Sequence, residues 1–247
     1  MPAHFRVGTS GWSYDHWREN FYPSRLPSRE RLAFYVDHFD TVEVNASFYR
    51  LPSEETLRNW RRTVPRDFRF AMKASRYLTH VKRLADPEEP LKTFLDRARV
   101  LGSRLGPVLF QLPPRWKFNP ERLGRLLRLL PSRRRFVFEF RDPSWFNDEV
   151  RELLTRRGVA FCIYHMVGQR CPTWVTAPFV YLRFHGSSGA HGGSYPPRSL
   201  ARWAQRAREW IREGRDVYAY FNNDTGGHAV RNARDLAMRV GSDAPRR

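Results

Sequence analysis

The sequence predicts an α/β protein of the (β/α)8 TIM-barrel class, with one domain over residues 1–240 and a loose tail over 241–247. Three observations predict it. Eight short β-rich runs recur at regular intervals, segments with the apolar spacing of helices separate them, and 247 residues match the length such a barrel needs. A doubly wound open sheet is the rival arrangement, but it rarely needs eight regular units.

The runs are Phe5–Thr9, Thr41–Asn45, Phe68–Lys73, Val108–Leu112, Phe136–Phe140, Val159–Tyr164, Val180–Phe184 and Val217–Phe221. Between them, apolar residues fall three and four apart, as in Leu32/Tyr35/Val36/Phe39, Phe94/Ala98/Leu101/Leu105 and Trp203/Ala207/Trp210/Ile211. Ser53, Asn119 and Asn147 stand where helix caps belong, each followed by acids or proline in the first turn. Ser28 is a poorer start, with Arg31 where a capping box wants glutamate. Gly102, Gly158 and Gly214 sit where helices should stop. The connection between the sixth and seventh runs is short, and Arg170-Cys-Pro-Thr-Trp-Val makes a poor helix, so an irregular segment is expected there.

Composition excludes several classes. No run of 18 apolar residues exists, so no membrane span is expected, and the N-terminus lacks the apolar stretch of a signal peptide. Cys162 and Cys171 match neither a disulfide framework nor a zinc knuckle, which points to a reduced, cytoplasmic protein with Cys162 as a small buried hydrophobe. The formal charge is +19, and only Lys73, Lys82, Lys92 and Lys117 among the 44 basic residues are lysines. Arginine in place of lysine nearly everywhere reads as a compositional bias of the surface, and a nucleic-acid partner stays open beside it. Nothing in the pattern fixes an oligomeric state.

In a barrel of this kind catalytic residues come from the carboxyl ends of the strands. Those ends are polar here: Glu43 and Asn45 on the second run, Lys73 on the third with His80 beyond it, and Gln111 on the fourth. Glu139 and Arg141 follow on the fifth, Arg183 and His185 on the seventh, and Asn222, Asn223 and Asp224 after the eighth. Glu43 with Asn45, Glu139 with Arg141, and Arg183 with His185 keep the two-residue phase of one strand face. Burying such groups is costly unless they pair, so their accumulation asks for a site or for a lattice of ion pairs, Glu43 with Lys73 and Glu139 with Arg141. Trp12, Tyr49 and Trp145 are rim aromatics able to stack on a sugar or base. The glycine-rich stretch from His185 to Tyr195, and Asp224-Thr-Gly-Gly-His, lie where such barrels hold phosphate or where loops are merely mobile.

The motifs Gly8-Thr-Ser-Gly-Trp-Ser-Tyr, Thr41-Val-Glu-Val-Asn-Ala-Ser-Phe-Tyr-Arg, Phe70-Ala-Met-Lys-Ala, Gly106-Pro-Val-Leu-Phe-Gln-Leu-Pro-Pro, Phe138-Glu-Phe-Arg-Asp-Pro-Ser-Trp-Phe, Tyr181-Leu-Arg-Phe-His-Gly and Tyr220-Phe-Asn-Asn-Asp resemble the YecE-like family, a domain of unknown function. The resemblance covers nearly the whole chain; it implies a TIM barrel and no established reaction. Family members often carry an aspartate at the end of the sixth strand, where this sequence has His165.

The residues favour an enzyme of hydrolase or lyase type acting on an anionic, phosphorylated or sugar-containing small molecule. Lys73, Arg141 and Arg183 would hold anionic oxygens, Glu43 or Glu139 would serve as general acid or base, and Asn45, Gln111, Asn222 and Asn223 would orient the substrate. The alternatives are a nucleic-acid-binding or nuclease-like protein and a non-catalytic metabolite binder. No Walker or dinucleotide fingerprint is present, so no cofactor is expected. His80, His185, His228, Glu43, Glu139 and Asp224 could supply metal ligands, but they lack the spacing of a known motif and stand among cations, so no metal is expected either.

Overall fold

All eight runs form strands in the computed structural model, which describes residues 3–188 and 192–241. They are β1 (Phe5–Thr9), β2 (Thr41–Val44), β3 (Arg69–Lys73), β4 (Leu105–Gln111), β5 (Phe136–Glu139), β6 (Ala160–His165), β7 (Phe179–Phe184) and β8 (Asp216–Phe221). Their order in the sheet is β1-β8-β7-β6-β5-β4-β3-β2, the order of a (β/α)8 barrel. The helices are α1 (Arg31–Val36), α2 (Ala46–Tyr49), α3 (Glu54–Thr63), α4 (Glu88–Ala98), α5 (Pro120–Leu129), α6 (Asp148–Arg156), α7 (Pro197–Arg212) and α8 (His228–Gly241). Residues 166–178 hold no helix, the irregular connection expected between β6 and β7. Of the expected tail, Gly241 ends α8, and 242–247 lie outside the described residues, as do 189–191 of the glycine-rich stretch.

The chain divides into two compact units. The first comprises Met1–Val42, Ile163–Cys171 and Pro178–Arg247. Here β8 pairs with β1 (Gly8 opposite Tyr220) and with β7 (Arg183 opposite Tyr220, Phe184 opposite Phe221), all parallel. The rings of Phe184 and Phe221 stack at 4.4 Å. Gly8 is required by a close approach: a Cβ there would lie 2.2 Å from the Thr41 carbonyl oxygen. The buried Tyr35 hydroxyl donates to that same oxygen at 3.2 Å and accepts the Thr9 backbone N–H at 3.0 Å. Along α7, Leu200, Ala204, Ala207 and Trp210 are buried at helical spacing while arginines fill the outer face.

The second unit comprises Glu43–Cys162 and Pro172–Ala177. Register sets Lys73 of β3 opposite Leu109 of β4, and Gln111 of β4 opposite Glu139 of β5. Phe110 stacks on Phe138 at 5.0 Å. The three caps form as expected: Ser53 accepts from the Thr56 N–H, Asn119 from Arg122 and Asn147 from Val150. The irregular segment is hooked to the start of β6 by Thr176, whose hydroxyl accepts the Phe161 N–H at 2.8 Å and donates to the Val159 carbonyl at 2.7 Å.

Two local expectations are corrected. Ser28 opens no α-helix; Ser28–Glu30 forms a 3-10 turn without a side-chain cap, and α1 starts at Arg31. Arg31 fails as a capping-box residue because it turns inward. It is 2% exposed and donates to Asp15 Oδ1 at 2.6 Å and to Ser13 Oγ at 3.3 Å, which ties down the loop after β1. The second correction is Trp145, which is no rim aromatic. It is fully buried, stacks on Phe140 at 4.8 Å and gives its indole N–H to the Trp116 carbonyl at 2.6 Å.

Candidate functional site

In the second unit the strand ends gather charge. Glu43 and Glu139 are fully buried, and Lys73 is 9% exposed. Arg141 follows β5 by two residues, pairs with Glu139 as expected from their two-residue phase, and is 9% exposed at its side chain. The second Glu139 oxygen accepts from the Cys162 thiol at 3.6 Å. The Lys73 ammonium stands 4.2 Å from the centre of the Phe48 ring. Its backbone carbonyl accepts the Ser47 hydroxyl at 2.7 Å, which anchors α2 against the end of β3.

Beyond β3 the chain makes one π-helical turn, Tyr77–Val81, and then bends through Arg83, Leu84 and Asp86, all with positive φ. The turn presents His80 edge-on to Phe48 at 4.9 Å. Burial, and then the charges of Lys73, Arg76, Arg141 and Arg83, push the His80 imidazole down to about 4, so it is neutral at physiological pH. Its tautomer follows from its neighbour. The Thr79 hydroxyl gives its only proton to the Ser75 carbonyl at 3.0 Å, so it accepts from His80 Nδ1 at 2.9 Å. The Nε2 lone pair is left free, with no partner among the described residues.

Asn45 also keeps an acceptor in reserve. It occupies the residue before α2, where asparagine ordinarily caps, yet its side chain makes no capping bond. Its Oδ1 is buried and accepts no hydrogen bond from the described residues. Gln111 is half-buried beside Glu139, and Tyr49 is 80% exposed.

In the first unit the strand ends are mostly neutral. The fully buried His185 ring nitrogen Nδ1 lies 3.1 Å from the Asn222 amide nitrogen. Asn223 Nδ2 donates to the Gly193 carbonyl at 2.8 Å and to Asn232 Oδ1 at 3.0 Å. Asn232, on α8, also accepts the Tyr195 N–H at 3.0 Å. The Tyr195 hydroxyl meets His165 Nδ1 at 2.9 Å and lies 3.1 Å from both the N–H and the carbonyl of Gly186. Burial raises the phenol and lowers the His165 imidazole, so both are uncharged near neutrality. Arg183 is buried at the end of β7, and Asn223 Oδ1 is buried with no donor among the described residues. Asp224 lends its backbone carbonyl to the Trp17 indole at 3.0 Å, and Trp12 is half-buried with its carbonyl taken by the Tyr22 hydroxyl.

Among the described residues, no group of three His, Cys, Asp or Glu side chains is placed to hold a metal ion. His228 lies 2.9 Å from Arg231 instead. Nor is any described helix long and apolar enough to cross a membrane.

A family model described as "Protein of unknown function DUF72" matches residues 6–247. The chain belongs to this family. The UPF0759 protein YunF of Bacillus subtilis is 26% identical over 267 positions, 93% of this chain and 92% of its own length. The UPF0759 protein YecE of Escherichia coli is 31% identical over 156 positions, 62% of this chain and 54% of its own. The solved structure of a DUF72 family protein from Thermotoga maritima superposes with a TM-score of 0.86 at 28% identity, covering 96% of this chain and 99% of that one. The motif resemblance and the TIM-barrel fold are thereby confirmed.

For this DUF72 chain, sequence reasoning missed Arg31, Tyr195 as a hydrogen-bonding hub, and Asn232. The polar Asn232 inside an otherwise apolar stretch of the α8 face was the one available signal, since a buried amide must find partners. It also missed the π-helical turn that carries His80.

Proposed function

We propose that this protein is an enzyme acting on an anionic, sugar-containing substrate, of which a phosphorylated or acidic sugar is the simplest case, at the carboxyl ends of β2, β3 and β5. The observation that carries the reading is the buried Asn45 Oδ1, an acceptor without its usual capping bond and without a donor among the described residues. A substrate hydroxyl would satisfy it, and the free His80 Nε2 would take a second. Lys73 and Arg141, both nearly buried, supply the positive field that an anionic group needs; Arg183 is the cation of the other unit's strand ends. Glu43 and Glu139, buried in two-residue phase with Asn45 and Arg141, are the proton-transfer groups of a hydrolase- or lyase-type reaction.

The test is a thermal-shift screen of sugar phosphates, sugar acids and neutral sugars, followed by product detection with any stabilising compound. An anionic sugar should stabilise the protein, and Lys73→Met should abolish that shift. Asn45→Ala should weaken binding about tenfold, one hydrogen bond to a buried acceptor. Glu43→Gln and Glu139→Gln should each slow turnover about 100-fold or more. Binding indifferent to Lys73 and Asn45, or turnover untouched in the double glutamine variant, would remove the assignment.

A further inference from the structure

A second concentration of charge lies in the same unit, at the amino end of β4. Arg58, Arg61 and Arg62 stand three and four apart on α3 and so share one helix face. Arg104 ends the 3-10 segment Arg99–Arg104 that leads into β4. With Val100 these four arginines line a cleft of about 570 Å³. Arg58 pairs with Glu54 at 2.6 Å. Arg61 reaches only the Val100 carbonyl, at 3.4 Å, and Arg62 only the Asn59 amide oxygen. Among the described residues, Arg61, Arg62 and Arg104 therefore have no carboxylate partner.

Two details separate this cleft from the scattered arginines of the surface. The Arg104 Nε–H is buried and meets no acceptor among the described residues, while the residue as a whole is half-buried and lines the cleft. Gly102 has φ +58, and a Cβ there would come within 3.1 Å of the Arg61 guanidinium carbon and 3.3 Å of both its terminal nitrogens. The glycine thus leaves room for that guanidinium beside Val100. Complementing the helix dipole explains Arg61 and Arg62 in the last turn of α3. It does not explain Arg104.

We propose that this cleft is an anion site that takes a phosphate group, held by paired N–H donors from Arg61, Arg62 and Arg104. Guanidinium forks match phosphate oxygens bidentately, and several together hold a dianion where a single surface arginine would not. The seven residues of β4 set the site about 20 Å from Gln111 at the strand's other end, so it is separate from the substrate site proposed above. The phosphate can belong to a small molecule or to a phosphodiester chain, and the experiment distinguishes them.

Binding of inorganic pyrophosphate and of a 5′-labelled single-stranded oligonucleotide would be measured at constant ionic strength, by calorimetry and by fluorescence anisotropy. The proteins are the wild type, Arg62→Gln/Arg104→Gln, Arg62→Gln alone, and a charge-matched control, Arg128→Gln/Arg156→Gln, at exposed positions on α5 and α6. Weakening of pyrophosphate binding by tenfold or more in the cleft double variant, by less in Arg62→Gln, and not in the control supports a small phosphate ligand. The same pattern for the oligonucleotide alone assigns the phosphate to a nucleic acid. Arg62 is exposed and bonded only to Asn59, so its single variant still reads the site if the double variant fails to fold. Equal loss in the control, unchanged affinity in the cleft variants, or no binding of either probe by the wild type overturns the proposal.

Discussion

The strand ends of β3 and β5 and those of β7 and β8 answer one problem, polar side chains withdrawn from water, in opposite ways. Around β3 and β5 the answer is charge: Glu139 against Arg141, Lys73 over the Phe48 ring, and positive groups that add to burial in keeping His80 unprotonated. Around β7 and β8 Arg183 and Asp224 carry formal charge and Arg202 acts on His165, but most of the groups are amides, a phenol and imidazoles that trade hydrogen bonds. A neutral network costs little to bury once satisfied, and it fixes geometry. A charged cluster remains expensive even when paired, so it persists where the field is useful. On the function proposed above, the first region would carry the chemistry and most of the second would be rigid support.

The largest effect should come from breaking the charged region. Glu139→Ala removes the carboxylate facing a guanidinium that is 9% exposed, and the loss should be about 3–5 kcal/mol in urea unfolding at pH 7. A loss below about 1 kcal/mol, the range of exposed pairs, would show that solvent screens the pair and would dissolve the contrast. Trp145→Ala should cost a similar amount, about 3–5 kcal/mol, as a fully buried indole with a hydrogen bond to Trp116. Tyr49→Ala, at an 80% exposed ring, should change stability by less than about 0.5 kcal/mol. Comparable losses at these two positions would contradict the core placement of Trp145.

The neutral region should break more gently. Asn232→Ala takes away the acceptor of the Tyr195 N–H and one of two acceptors of Asn223 Nδ2. The expected loss is about 1–3 kcal/mol. Because Tyr195 and His165 are both uncharged around neutrality, the loss should be the same at pH 7 and pH 8. A loss that changes between those pH values would reveal a charged member of the network.

These differences track what a sequence can carry. The eight strands were legible because each is a short β-rich run with breakers on either side, and Ser53, Asn119 and Asn147 because a cap bonds three residues ahead of itself. The pair Glu139 and Arg141 was legible for the same reason, two residues on one strand face. Arg31 was misread because its partner Asp15 is 16 positions back, and the missing capping-box glutamate was the only local clue. Asn232 meets Tyr195 across 37 positions, with no periodicity to announce it. Trp145 follows a strand end closely enough to look like a rim residue, and only the tertiary stack on Phe140 and the distant Trp116 carbonyl bury it.

The smallest effect reports on the burial of His80 and on the positive charges around it. The His80 imidazole titrates near 4 in the folded protein against 6.5 for an unperturbed histidine. Below pH 6.5 the unfolded chain therefore binds a proton that the folded chain refuses. Stability should fall as the pH drops from about 6.5 toward 4 and change no further from this group below that. Since the residue is only half-buried, the part of the decline between pH 7 and pH 5 should be about 1 kcal/mol after screening. His80→Gln should remove that increment, so its denaturation midpoint should decline less than that of the wild type over the same interval. Lys73→Met should remove part of it, because the ammonium is the largest charge acting on the ring. If His80→Gln left the pH profile unchanged, the ring would be neither desolvated nor in a positive field, and a Lys73→Met profile identical to the wild type would exclude the field alone. The strand ends of β3 and β5 would then differ from those of β7 and β8 only in residue type.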